Sequence, residues 1–406
     1  MRRYTRRDGD PLAERPPRAP SSLRFKIAAA SVMLVVALVG LELAARFVAP
    51  IVPGYKISPE KEEMVLLNSH PTRLWYTAPG VKQSAGFTAS INELGLRGPL
   101  PADPKPADVP RILVVGDSSL FGHGVADNET LSAQLERALL GRGLRAEVIN
   151  GGTPGYSTEQ TLRFLDEVGW DLKPDLLLIG NLWSDNNYDW FQDADLLHTV
   201  NTFSGPLASS ALFRISSTWV DRLKGGRGAR IVSWTANSQV PTTAGRRVPL
   251  PQYAANLAKM MAQATEHGAG ALVLSLTNIE RIERGDSSKA SWHPYFLAQA
   301  EIVRWFRVPM VDAHVVFTTA AAEPSTLFVD SMHPSAKGFA LLAKATARLL
   351  GDAGWPERER FAPRTEPFPG LSVEDAAETD VPAPLSPQEE LFMHVERSLP
   401  PGTPGK

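Results

Sequence analysis

The sequence predicts an α/β fold built on a parallel sheet, preceded by a single helix long enough to cross a bilayer. Three observations carry this expectation. From Arg111 onward, short apolar runs of strand length alternate with amphipathic stretches of helix length. The strand-like runs are apolar throughout, as strands covered on both faces are, and do not alternate with polar residues. Residues 27–48 form a nearly unbroken apolar run.

The N-terminal part is read first from charge. Residues 1–26 carry Arg2, Arg3, Arg6, Arg7, Arg15, Arg18, Arg24 and Lys26 among several prolines, the composition of an unstructured basic cytoplasmic tail. The run 27–48 spans about 33 Å as a helix, enough for a bilayer, with Glu42 and Arg46 near its far end expected to snorkel or pair. The basic flank predicts an N-terminus inside and the remainder outside the cytoplasm, periplasmic or extracellular. A long basic region and no clean Ala-x-Ala site after the apolar core favour an uncleaved, single-pass signal-anchor over a cleaved signal peptide. Residues 49–110 read as a linker and edge-strand extension, with Phe87-Thr-Ala-Ser-Ile-Asn-Glu-Leu-Gly-Leu-Arg-Gly98 as an edge strand or hairpin.

The rest of the 406-residue chain, 43% hydrophobic overall with a formal net charge of −2, suits one large globular domain with extensions and offers no footprint for nucleic acid. Eight histidines and no cysteine exclude disulfides and thiolate–metal sites; neither a cofactor nor a bound metal is expected. Strands are predicted at 112–115, 146–149, 176–179 and 270–276, with a weaker one at 308–312. Helices are predicted at 130–140, 158–168, 251–266, 295–305 and 336–350. Residues 351–406, rich in Pro, Glu and Asp, read as a disordered tail with a short helix at 388–397.

Chemistry concentrates where the first of these strands ends. Ile112 to Val115 stop at Gly116, and Asp117-Ser118-Ser119 is N-cap chemistry at the mouth of a helix. These residues suffice as caps. A hydroxyl there also lies at the carboxyl edge of an open sheet, where such folds bind ligands, beside amides and a helix dipole suited to an oxyanion. Ser118 is thus a candidate nucleophile. More than two hundred residues later, Asp330-Ser-Met-His333 spaces a carboxylate and an imidazole so that one ring nitrogen is held while the other faces a serine. A nucleotide site at 116–124 is disfavoured, because no Gly-Lys-Ser/Thr follows and the glycine spacing is wrong.

The pair Gly116-Asp117-Ser118 and Asp330-x-x-His333 resembles the SGNH/GDSL hydrolase family over about 111–350. The resemblance implies a three-layer, flavodoxin-like catalytic domain, with Ser118 as nucleophile, His333 as general base and acid, and Asp330 as its orienter. It implies an oxyanion-hole N–H from the block 148–158, where Gly155 in Pro-Gly-Tyr-Ser matches best and Gly152 second. The family's third block supplies an Asn to the same hole, whereas here Ser184 precedes Asp185; Ser184, or Asn181 or Asn186 with a shifted loop, could substitute. Residues 187–248 form an insertion. It is expected to be a lid, with Trp183, Tyr188, Trp190 and Phe191 suited to a sugar, to an acyl group or simply to core packing, and its acidic cluster is expected to be solvated surface.

The function so implied is a membrane-anchored serine esterase or O-acyltransferase working through an acyl-serine, on an acyl ester or an O-acetylated glycan of the cell envelope. The competing expectation is a catalytically weak carbohydrate-binding or assembly protein that keeps the fold.

Overall fold

The computed structural model describes residues 23–48, 66–189 except 71 and 85, 192–194, 197, 210–212, 245–285, 290–320 and 322–371. Residues 1–22 of the expected basic tail, the helix at 388–397 and most of the insertion, including Trp190 and Phe191, lie outside the described residues; residues 23–26, expected in the unstructured tail, instead form the first turn of a helix.

The first element is the helix α1 (Leu23–Val48). Its side chains from Leu23 to Leu43 are largely exposed and apolar, and the stretch Leu23–Arg46 is long and apolar enough to cross a membrane. Glu42 and Arg46 pair at 3.0 Å. The Glu42 carboxylate also accepts from Ser210 Oγ at 2.7 Å, Ala211 N at 2.8 Å and Leu212 N at 3.0 Å, so the one acid of this helix is fully engaged by the start of a segment within the insertion.

Two hairpins follow: β1 (Leu67–His70) with β2 (Leu74–Thr77), and β3 (Gly80–Ser84) with β4 (Phe87–Ile91). Of the segment 87–98 expected as an edge strand or hairpin, 87–91 is β4, whose partner lies before it, and the chain then turns so that Arg97 bridges back to Ile91 and Asn150. The central sheet has five strands, β5 (Arg111–Gly116), β6 (Glu147–Asn150), β7 (Leu176–Gly180), β10 (Gly270–Ser275) and β11 (Met310–Asp312), after a small pair β8 (Tyr188–Asp189) and β9 (Gly245–Arg246). Every pairing in it is parallel, in the order β11-β10-β7-β5-β6. Counting only sheet strands, this is the doubly wound order 2-1-3-4-5. Ile112 to Val115, Leu176 to Ile179 and Ala271 to Val273 are completely buried, which is why these runs carry no polar alternation.

Helices α3 (Leu131–Leu140) and α10 (Ala336–Asp352) pack together, while α4 (Thr158–Phe164), α6 (Leu250–Glu266) and α8 (His293–Phe306) form a second group. Right-handed crossovers require this division: the step from β5 to β6 runs one way along the sheet, and the steps from β6 through β7 to β10 run the other. The result is the three-layer arrangement that the family resemblance implies. The expectation of a disordered tail from 351 is corrected for 351–371: Trp355 and Phe361 are buried in the core and the Phe361 carbonyl accepts from Ala271 N at 2.7 Å, because these apolar side chains cover the sheet beside β10. The other differences from the expected boundaries are local. Strand β11 begins at Met310 because Pro309 has no N–H for the ladder. Helix α4 stops at Phe164 and widens into a π-helical turn over Leu165–Gly169.

Candidate functional site

The direction change of the sheet falls between β5 and β7, and Ser118 opens the short helix α2 (Ser118–Phe121) directly at the end of β5. A switch point of this kind leaves a crevice above the carboxyl ends of the strands. Glycines let α2 press down on those ends. A Cβ at Gly152 would lie 2.3 Å from Phe121 N, and one at Gly180 would lie 2.4 Å from Leu120 Cδ2, distances that no real side chain tolerates.

Asp117 ties this corner together. Its carboxylate accepts from Ser119 N at 2.9 Å, capping α2, and from Trp183 N at 3.1 Å at the start of α5 (Trp183–Asn186). Its side chain is completely buried; burial raises its pKa, against the pull of the Ser119, Ser184 and Trp183 amides and the nearby His333. The cap was legible in the sequence, whereas the second tether needs β7 beside β5.

The candidate base stands opposite. Phe328 and Pro334 bridge antiparallel and Val329 N donates to His333 O at 2.9 Å, closing a tight loop. Within it, Asp330 Oδ1 accepts from the N–H groups of Met332 and His333, both at 2.8 Å, and Asp330 Oδ2 lies 2.6 Å from His333 Nδ1. His333 Nε2 lies 2.7 Å from Ser118 Oγ. Ser118, His333 and Asp330 therefore form a continuous hydrogen-bonded chain. Partial burial of the Asp330 carboxyl is outweighed by the hydrogen bonds and charge of His333, which hold it well below the usual carboxylate range.

The oxyanion candidates divide clearly. In the block after β6, the amide of Gly151 donates to Val114 O, that of Gly152 to Asn150 Oδ1, that of Thr153 to Gly116 O and that of Tyr156 to Thr153 O. Gly155, at φ +77°, is left as the residue of this turn whose N–H has no partner among the described residues. Its carbonyl is held at 2.8 Å by Arg247, whose guanidinium is itself locked to Asp193 at 2.5 Å in a fully buried pair. Asp193 belongs to the acidic cluster expected to be solvated surface. That expectation is corrected, because a buried carboxylate of this kind is tolerated only with such a partner.

Asn181 is completely buried, and its Nδ2 donates to Thr161 Oγ1 at 3.0 Å and Tyr156 O at 3.4 Å, so its donors are committed inside the protein. Asn186 instead accepts, its main-chain carbonyl taking a hydrogen bond from Arg246 at 2.5 Å. Ser184 is buried on α5, next to the Trp183 amide that Asp117 holds. Trp183 packs edge to face with Trp292 at 5.6 Å, and Asp185 Oδ1 accepts from Thr158 N at 2.9 Å and Thr158 Oγ1 at 2.5 Å.

Two residues went unnoticed in the sequence. Arg97, in the Asn-x-x-Gly-x-Arg-Gly segment, is almost wholly buried; it donates to Phe121 O at 3.1 Å, Gly122 O at 2.6 Å, Val125 O at 2.7 Å and Thr88 O at 3.2 Å, and pairs with Asp127 at 2.9 Å. It thereby binds the carbonyl end of α2 to the hairpin and gives this segment a positional role. His123, two residues beyond α2, places its ring 4.6 Å from that of His333.

Several solved structures are similar to this chain. They include an alpha/beta hydrolase enzyme from the metagenome of Lake Arreo, Spain (17% identity, 60% of this chain and 95% of that one, TM-score 0.40). An acetylxylan esterase from Geobacillus stearothermophilus aligns at 17% identity over 59% of this chain and 93% of its own, TM-score 0.39. A protein assigned to the G-D-S-L lipolytic family from Desulfitobacterium hafniense DCB-2 aligns at 14% identity over 59% and 98%, TM-score 0.36. No protein-family model and no curated protein matches the chain. What fold and site define together is an α/β protein of doubly wound order with a serine–histidine–aspartate chain of hydrogen bonds at its switch point.

Proposed function

We propose that the chain is a serine hydrolase of the SGNH type that cleaves acyl esters through an acyl-Ser118 intermediate. The observation that carries this is the unbroken sequence of contacts from Ser118 Oγ to His333 Nε2 at 2.7 Å and from His333 Nδ1 to Asp330 Oδ2 at 2.6 Å, the geometry that turns a weak nucleophile into an active one. His333 Nε2 takes the Ser118 proton as Oγ bonds to the ester carbonyl carbon. The oxyanion that forms is held by the Gly155 N–H, with Ser184 as the side-chain donor. Collapse breaks the ester C–O bond, and His333 returns the proton to the leaving alcohol. Water, activated by the same imidazole, then releases the acid; a sugar hydroxyl in its place would make the reaction an acyl transfer. Asp330 holds the ring and stabilises its charged form.

The apolar helix Leu23–Arg46, behind a basic stretch, supports a single-pass anchor with the site outside the cytoplasm. That location suits O-acyl groups of envelope glycans as substrates. The committed donors of Asn181 favour the alternative of a weak or inactive, glycan-binding relative, since one missing oxyanion donor typically costs about 10²–10³ in rate. Fluorophosphonate labelling and turnover of p-nitrophenyl acetate separate the two readings. The hydrolase should label at Ser118 and turn over, and Ser118→Ala should abolish both without loss of folded structure; full turnover by Ser118→Ala would sink the assignment.

A further inference from the structure

His123 has no part in the chemistry proposed above, yet the fold delivers it to the candidate base. It lies between Gly122 and Gly124, and its main-chain N–H donates to Ser118 O at 3.0 Å. A Cβ at Gly124 would strike Val329 Cγ2 at 2.7 Å, so this loop and the Asp330 loop are packed against each other without a spacer. One donor atom each from His123, Asp330 and His333 lies within 4.8 Å of the other two. The Asp330 side chain is 44% exposed and that of His333 13%, which leaves an approach from solvent. Two imidazoles and a carboxylate are the donor set that zinc and its divalent transition-metal neighbours prefer.

We propose that His123, Asp330 and His333 form an inhibitory site for a divalent transition-metal ion such as Zn²⁺. Inhibition follows from geometry and does not depend on which nitrogen of His333 coordinates. Metal–ligand bonds of about 2.0–2.1 Å keep two ligands of one ion about 3 Å or more apart, so coordination through Nδ1 forces open the 2.6 Å contact with Asp330. Coordination through Nε2 removes the acceptor that Ser118 Oγ needs. Either way Nε2 has no free lone pair for the serine proton: it is bound to the ion in the second case, and in the first it carries the ring proton displaced from Nδ1. The ion is neither oxidised nor reduced, and its removal restores the hydrogen bonds.

The inhibitory role rests on the hydrolase reading, whereas metal binding itself does not. Two measurements on the full-length protein keep them apart. Calorimetric titration of the Ser118→Ala protein with Zn²⁺ should show one ion bound, and the double variant Ser118→Ala/His123→Phe should bind at least about tenfold more weakly. In parallel, Zn²⁺ should suppress p-nitrophenyl acetate hydrolysis by the wild type, reversibly on adding EDTA. His123→Phe, which keeps a ring against His333, should retain turnover within a few fold and require at least about tenfold more Zn²⁺; His123→Gln should behave in the same way if the phenylalanine variant misfolds. No binding at millimolar Zn²⁺, or equal affinity with and without His123, overturns the site. Zn²⁺ binding without any wild-type turnover would remove the hydrolase reading and leave the metal site standing.

Discussion

The two halves of the candidate site are supported by different physics. On the nucleophile's side, Asp117, Ser119, Leu120 and Phe121 have no exposed surface, and α2 lies on glycines that leave no slack. On the base's side, Val329 is 44% exposed and the loop is shaped by hydrogen bonds that the Asp330 carboxylate accepts from its own neighbours. Packing fixes one half and local hydrogen bonding fixes the other. The carboxylates register the same contrast: burial raises those of Asp117 and Asp185, whereas hydrogen bonds from His333 lower that of Asp330. A substitution on the first side should thus act through stability, and one on the second through rate.

The largest separation of the two is expected from Asp330→Asn. Loss of the orienting carboxylate should lower kcat by about 10⁴, while the thermal midpoint stays close to wild type, because the residue is on an exposed loop; a fall in midpoint comparable to that of a core variant would contradict the contrast. Next come the oxyanion donors. Ser184→Ala should reduce kcat and kcat/KM together by on the order of 10², whereas Asn181→Ala, whose donors serve Thr161 and Tyr156, should cost stability first. If steady-state kinetics assign the loss in kcat to Asn181 alone, the side-chain donor is wrongly placed here.

Gly152→Ala tests the packed half. A methyl group 2.3 Å from Phe121 N should cost about 1–3 kcal/mol in denaturant unfolding and shift Ser118, so stability and activity should fall together. A further test concerns pH. Burial pushes the Asp185 carboxyl up to about 8, above its ordinary unfolded value of about 3.9, so the folded state binds the extra proton and stability falls as pH rises from about 4 to about 8. Asp185→Asn should flatten that slope. Asp330 acts with the opposite sign, adding stability above about pH 4 that is lost as pH falls below it, and its partial exposure keeps this contribution small. Unfolding midpoints measured across pH for the two variants should therefore move in opposite senses.

Much of this was legible in the sequence because it is encoded over short distances. Four apolar residues ended by Gly116 mark a buried strand, and Asp117 before a helix marks a cap. Asp330 and His333 announce each other by spacing. What was not legible depends on partners far away in the chain. Arg97 finds the carbonyls of Phe121 and Gly122 only once the hairpin is laid beside α2, and Arg247 reaches Gly155 across an insertion. Asp193 looked solvated because a run of acids carries no sign of the arginine that will bury one of them. His123, alone between two glycines, meets the His333 ring only once the Asp330 loop, far along the chain, is folded beside it.

The contact between Ser118 and His333 spans 215 positions, with every strand of the sheet after the first threaded between them. Closing so long a loop carries an entropic cost that only the completed core can offset. During synthesis the ribosome releases the serine long before the histidine, and a chain halted anywhere in between has a hydroxyl with no base. On the proposed hydrolase reading, catalytic competence therefore comes late, and turnover by a truncated or permuted chain would report whether the His333 loop has reached Ser118.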